Sequence, residues 1–69
     1  MAWESEYVNY GVVKIEGDKV IVYRDQWNSI TLSTGMHVVN ASWAGGELNV
    51  YLDNGQVKRY SDQWNSITI

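Results

Sequence analysis

No segment of the chain shows a helical period, and short apolar-rich runs punctuated by Gly read as strands. After a weakly specified lead-in, Met1 to Glu6, which carries Trp3, the pattern predicts a strand from Tyr7 to Glu16 with a bulge or bend at Gly11. Gly17-Asp18 supplies a tight turn into a strand from Lys19 to Arg24. That strand is apolar on both faces (Val20 and Val22; Ile21 and Tyr23), which predicts cover on both sides. Ser29 to Ser33 reads as a short strand, and Thr34-Gly35 turns the chain. Met36 to Ala44 follows, with Val39, Ala41 and Trp43 on one face and His37 at the same parity. Gly45-Gly46 is a two-residue hairpin signal. Glu47 to Asp53 alternates cleanly, with Leu48, Val50 and Leu52 inward and Glu47, Asn49, Tyr51 and Asp53 outward. Asn54-Gly55 predicts a type I′ turn, which needs positive φ at both positions. Strands at Gln56 to Ser61 and Ser66 to Ile69 complete the chain.

One segment occurs twice. Asp25-Gln26-Trp27-Asn28-Ser29-Ile30-Thr31 returns unchanged as Asp62-Gln63-Trp64-Asn65-Ser66-Ile67-Thr68, at an offset of 37 residues. Without gaps, residues 5–32 align with 42–69, and four of the other 21 pairs are identical: Ser5/Ser42, Val13/Val50, Val20/Val57 and Tyr23/Tyr60. Each unit therefore reads as strand, hairpin, strand, Asp-Gln-Trp-Asn loop, short strand. Residues 36–43 add a strand before the second unit, with a weaker equivalent around Ala2 to Tyr7 in the first. The expected fold is all-β: one domain, 1–69, made of two tandem antiparallel β-meander repeats, 1–32 and 36–69, joined by a turn at 33–35. Such units are propeller-blade-like, or they roll into a small barrel. Repeat arrays usually need at least three units, so two units predict a larger closed β structure reached by oligomerisation.

Composition supports this class and narrows the chemistry. The 69 residues include no Pro and many Val, Ile, Thr, Tyr and Trp. A chain this short has a small core and needs disulfides, metal or self-association to supplement it. With no Cys and one His, disulfides, thiol nucleophiles and His-rich metal clusters are excluded, which leaves packing and a homo-oligomer. No cofactor is implied. Net charge is −3, and Lys14, Lys19, Arg24, Lys58 and Arg59 are scattered, so no basic stripe suits nucleic acid or an anionic membrane. Arg24, Lys58 and Arg59 are expected at solvent edges, with a cation–π contact to Tyr60 or a loop Trp open to them. No apolar run suggests a membrane span or signal peptide, and a cytoplasmic location is expected.

The duplicated loop holds the candidate site: Asp25, Trp27 and Asn28, with Asp62, Trp64 and Asn65. Asp at these positions is placed to accept hydrogen bonds from N–H groups two or three residues on. Asn28 and Asn65 can do the same or adopt a left-handed conformation. Turn chemistry of this kind favours Trp27 and Trp64 as core plugs, with Ile30 and Ile67 behind them. In the functional alternative each loop is half of a binding site, Trp offering a flat face beside polar groups to a sugar ring or to a protein partner. Catalysis has little support. His37 lacks a nucleophile or second His beside it in the pattern, and two Asp do not make a glycosidase cleft in so small a chain. Asp53-Asn54-Gly55 lacks the further spaced oxygens of a calcium loop, and Asn40-Ala41-Ser42 matches the glycosylation sequon by chance.

The expectation is a non-enzymatic β-repeat binding module, lectin-like or protein-binding through its Trp-bearing loops, acting as a homo-oligomer. The alternatives are a structural or designed self-assembling module without ligand, and a small acidic inhibitor of a host or rival protein.

Overall fold

The computed structural model describes residues 3–69; Met1 and Ala2 of the expected lead-in lie outside the described residues. A short helix, α1 (Ser5–Tyr10), is followed by seven strands: β1 (Val13–Glu16), β2 (Lys19–Tyr23), β3 (Ser29–Ser33), β4 (Val38–Ala44), β5 (Glu47–Leu52), β6 (Val57–Tyr60) and β7 (Ser66–Thr68). The fold is all-β and antiparallel. It consists of two open meanders, β1-β2-β3 and β4-β5-β6-β7, and not a closed barrel. The sheets meet along β1 and β4, where the Val38 N–H donates to the Gly17 carbonyl (2.9 Å). Between them lies one apolar cluster. Val20, Val22 and Leu32 come from the first sheet, Val38, Leu48, Val50, Leu52 and Tyr60 from the second, and Trp3 and Tyr7 close it.

The strand expected over Tyr7–Glu16 is a helix in its first half. Its six residues are too few to show a 3.6-residue period, and no side chain caps its N-terminus. Packing holds it in place of propensity. Trp3 and Tyr7, four residues apart, meet edge to face at 5.5 Å, and Trp3 meets Trp43 in the same way at 5.3 Å. The Trp3 indole N–H donates to the Tyr60 carbonyl across 3.0 Å, which ties this segment to β6. Trp43, by contrast, buries an indole nitrogen that has no hydrogen-bond partner among the described residues. Gly11 is neither bulge nor bend within a strand but the helix stop. Its φ of 69° is left-handed, and its N–H donates to the Tyr7 carbonyl. The extra strand expected around Ala2 to Tyr7 is therefore absent from the described part of that segment.

Two local geometries overturn the simple alternation. In β4 the pairing jumps between Val38 and Asn40, a bulge that puts two residues opposite one. Ala41 and Trp43 share the inward face, but Val38 joins them, 3% exposed, while Val39, expected on their face, points out at 56%. In β5 Leu48, Val50 and Leu52 are buried as the alternation requires; Asn49, expected outside, is also covered and accepts a hydrogen bond from Arg59 Nε (3.1 Å).

The hairpins differ in a way the repeat does not forecast. Gly45 and Gly46 both have positive φ and join Ala44 to Glu47 in a two-residue turn. Asn54-Gly55 does not form the expected type I′ turn, because Asn54 keeps a negative φ. The loop instead has three residues, Asp53-Asn54-Gly55, closed by Leu52 N–H to Gln56 O (2.9 Å) and Gly55 N–H to Leu52 O (3.1 Å). Asn54 Oδ1 accepts the Gln56 N–H, and Gly55 alone takes the left-handed position.

That extra loop residue shifts the register by one. The first unit pairs Val13 with Val22 and Ile15 with Val20. At the same offset Val50 would face Arg59, but it faces Lys58, and Tyr51 faces Val57. Since side chains alternate, the slip turns β6 and β7 over relative to their counterparts β2 and β3. Ile30 and Leu32 pack into the core, whereas Ile67 and Ile69, at the matching positions, are each 61% exposed. Lys58 and Arg59 accordingly lie on an inner strand between β5 and β7 and not at a sheet edge, with Lys58 Nζ 5.6 Å from the Tyr60 ring centre.

Val38→Ala is expected to lower stability by about 1–3 kcal/mol, while Val39→Ser changes it by no more than about 0.5 kcal/mol. Urea denaturation of both variants checks this, and the reverse order would remove the bulge. By the same measurement Trp3→Ala costs about 3–5 kcal/mol, a large part of the stability of so small a domain.

Candidate functional site

The two Asp-Gln-Trp-Asn segments connect β2 to β3 and β6 to β7. Backbone bonds close each in the same way: Arg24 N–H to Asn28 O at 2.8 Å, and Ser61 N–H to Asn65 O at 3.0 Å. Inside each loop the carboxylate does what its position predicts. Asp25 Oδ1 accepts the N–H groups of Trp27 and Asn28, both at 2.8 Å. Asp62 Oδ1 accepts those of Trp64 and Asn65, at 2.7 and 2.8 Å. Asn28 and Asn65 do not take left-handed backbone. Their Nδ2 groups reach back to both oxygens of the carboxylate, at 3.0 Å in every case. Asp and Asn thus form a side-chain clasp across the turn, repeated contact for contact.

Charge-assisted bonds of this kind favour the ionised carboxylate. The Asn28 side-chain bond, and then the Trp27 N–H, hold the Asp25 carboxyl below its ordinary range. The Asn65 bond does the same for Asp62, with the Trp64 and Asn65 amides adding to it. A general acid needs a shift in the other direction.

The core-plug reading of the tryptophans is overturned. Trp27 is 83% exposed and Trp64 is 80% exposed. The clasp explains why. The turn interior is filled by polar groups, and a carboxylate that bonds the N–H two residues on leaves that residue's side chain at the tip. The core aromatic positions go instead to Trp3 and Trp43, the two tryptophans outside the duplicated segment. Of the residues expected behind the plugs, Ile30 packs on the core and Ile67 does not.

The loops differ at their bases. Arg24 opens the first and forms an ion pair with Glu6 (3.1 Å), Glu4 lying 4.0 Å away. The Glu6 carboxyl is lowered first by its own backbone N–H and then by Arg24, whose own pKa is raised. Ser61 opens the second loop, its hydroxyl 3.4 Å from the Asn65 carbonyl. Because Trp3 bonds Tyr60 and Glu6 bonds Arg24, one four-residue segment touches the base of each loop. The role of Trp3 has a trace in the sequence, its spacing of four from Tyr7, but too short to register as a helix.

His37 is exposed and contributes its carbonyl to the Asp53 N–H. Among the described residues no group of three or more His, Asp and Glu side chains is gathered to hold a metal, and no helix is long and apolar enough to cross a membrane. Comparison with known proteins finds no matching family model, no matching curated protein and no matching solved structure.

The lowered carboxyl pKa values have a defined sign. Each clasp contributes stability that is present above the unfolded aspartate value of about 3.9 and is lost as pH falls through the lower folded value. The Trp27, Asn28, Trp64 and Asn65 amide shifts, followed by NMR, are therefore expected to titrate with midpoints below about 3.9. Midpoints above it would show that the clasp is not formed.

Proposed function

We propose that this chain is a non-enzymatic protein-binding module that acts as a homo-oligomer and presents Trp27 and Trp64 as two aromatic knobs. The observation that carries the proposal is the exposure of both indoles at the tips of loops closed by the Asp–Asn clasp. An exposed indole is unfavourable in water unless something covers it, and Trp is the residue most enriched among binding hot spots. The clasp reduces the ordering cost of burying each indole, because the turn that carries it is already set.

A protein partner fits better than a sugar. Small-ligand sites are concave and place free polar groups around the ligand. Here the indoles protrude, and the Asp and Asn groups that would orient hydroxyls are engaged across the turn. The duplication belongs to the same reading: two units, each with its clasped loop, give a two-point grip. The identical clasp supports repeat character, while α1 in place of a fourth strand and the shifted β5–β6 register weigh against blade-like equivalence. Self-association draws support from the small core, ten buried apolar residues among the described ones.

Quantitative pull-down with wild type, Trp27→Ala and Trp64→Ala, alongside a glycan array, tests this. Both variants are expected to fold, since the side chains removed are exposed. Each is expected to weaken capture of a protein partner by roughly 30-fold, the loss of a hot spot of about 2 kcal/mol. A glycan signal that depends on the same tryptophans would replace the protein partner with a carbohydrate, and partner capture indifferent to both substitutions would remove the loops from the site.

A further inference from the structure

Of the six asparagines in the chain, Asn54 precedes a glycine. The backbone nitrogen of the residue after an asparagine can attack its side-chain carbonyl, because the two close a five-membered ring. Glycine hinders that attack least, having no Cβ beside the nitrogen. The turn between β5 and β6 adds three features to this pairing. Asn54 and Gly55 are exposed, and a Cβ built on Gly55 would meet no atom within 4 Å, so the ring has room to form. The Gln56 N–H donates to Asn54 Oδ1 across 3.0 Å, and this is the oxygen on which negative charge develops during attack. The Gly55 N–H donates to the Leu52 carbonyl at 3.1 Å within the same exposed turn, so a local opening releases the nitrogen without unfolding the sheet.

The other asparagines are held differently. Asn28 and Asn65 precede serines that begin β3 and β7, and their Nδ2 groups are clasped to Asp25 and Asp62. Asn9 lies within α1, and Asn49 is covered within β5 with its Oδ1 taken by Arg59. Asn40 is the nearest rival, since the Ala41 N–H donates to its Oδ1 at 2.9 Å. Ala41 carries a Cβ, however, and pairs with Val50 in the β4–β5 ladder, so attack there requires the strand to open.

We propose that Asn54 is a site of spontaneous covalent modification, at which the Gly55 backbone nitrogen displaces the Asn54 side-chain amide. Hydroxide removes the Gly55 amide proton, the nitrogen bonds to Asn54 Cγ, and the Cγ–Nδ2 bond breaks with loss of ammonia. Water then opens the cyclic imide. Breaking the new bond gives aspartate; breaking the original peptide bond leaves a β-aspartyl link, which lengthens the backbone by a methylene. The net reaction is amide plus water to carboxylate plus ammonium, with no redox step. Either product adds a negative charge to the turn and loses the Asn54 Nδ2 bond to Gln56 Oε1. The β-linked product acts further, because the length of this turn sets the β5–β6 register and so the facing of β6 and β7. The same turn that breaks the symmetry of the repeat thus carries the residue whose chemistry alters it.

The full chain, incubated at about 37 °C at pH 7 and at pH 9, in buffer and in guanidinium chloride, tests this by peptide mass spectrometry. In buffer the peptide holding Asn54 is expected to gain one mass unit and to split into two isomeric products, at least about tenfold faster than any peptide holding another asparagine. The rate is expected to rise at least about tenfold from pH 7 to pH 9, as removal of an amide proton by hydroxide requires. In guanidinium chloride, where the clasps are gone, Asn28 and Asn65 are expected to react faster than in buffer. The separated β-linked product is expected to lose amide-exchange protection in β6 and β7, while a freshly prepared Asn54→Asp variant keeps it. An Asn54 that stays intact in buffer while the denatured chain converts, an Asn28, Asn40 or Asn65 that reacts as fast in buffer, or a rate indifferent to pH would each overturn the proposal. Equal protection in the β-linked product and the Asn54→Asp variant would overturn its effect on the register.

Discussion

The burial of one indole ring does much to connect this molecule. Trp3 sits among Tyr7, Trp43 and the Tyr60 carbonyl, so the N-terminal segment, β4 and β6 all meet at one side chain. Neither meander could shield its inner face alone, since sheets of three and four short strands each expose one apolar side until something packs on it. The two sheets cover each other, and Trp3 with Tyr7 fills the remaining opening. The single indole hydrogen bond fixes where that cover sits, because a buried N–H without a partner would carry a desolvation cost. Trp43 bears such a cost beside it, and its ring contact with Trp3 compensates through packing.

A second constraint acts through a single loop residue. The three-residue turn at Asp53-Asn54-Gly55 replaces the two-residue one that Asn-Gly suggests, and the pairing of β5 with β6 moves by one. Two hairpins that share the segment Asp-Gln-Trp-Asn-Ser-Ile-Thr and the same β2–β3 and β6–β7 register then present opposite faces to the core. The first uses Ile30 and Leu32 for packing, and the second leaves Ile67 and Ile69 in water. Duplication of a sequence therefore need not duplicate an environment. The duplicated loops escape this effect, because every bond of the clasp lies within four residues and is indifferent to which face the strands present.

Those loops separate two roles that the sequence places side by side. Asp and Asn act on the turn, and Trp is what the turn displays. Asp and Asn are engaged with each other across each turn, and the indole stands out in solvent. The first loop is tethered further through Arg24 to Glu6, and an exposed ion pair of this kind adds little beyond orientation. The geometry of presentation is thus local, while the spacing between the two tips depends on the sheets and on the segment Trp3–Glu6 that touches both bases.

How much of this was legible in the chain follows the range of the forces. The all-β class, the short strands, the Gly45-Gly46 hairpin, the inward set Leu48, Val50 and Leu52, and the carboxylate-to-amide bonds of Asp25 and Asp62 are dictated by neighbours within a few residues. They could be read directly from alternation and turn chemistry. The helix at Ser5–Tyr10 could not, because six residues have too little propensity to declare themselves and are held by Trp3 packing on residues forty and more positions away. The inward turn of Val38 and the outward turn of Ile67 also escaped, since a bulge or a one-residue slip reverses facing without altering the pattern of residue types. Sequence alone determined which residues build the loop. Tertiary structure decided that Trp3 and Trp43 fill the core, so that Trp27 and Trp64, which the local clasp sets at the loop tips, stay in solvent.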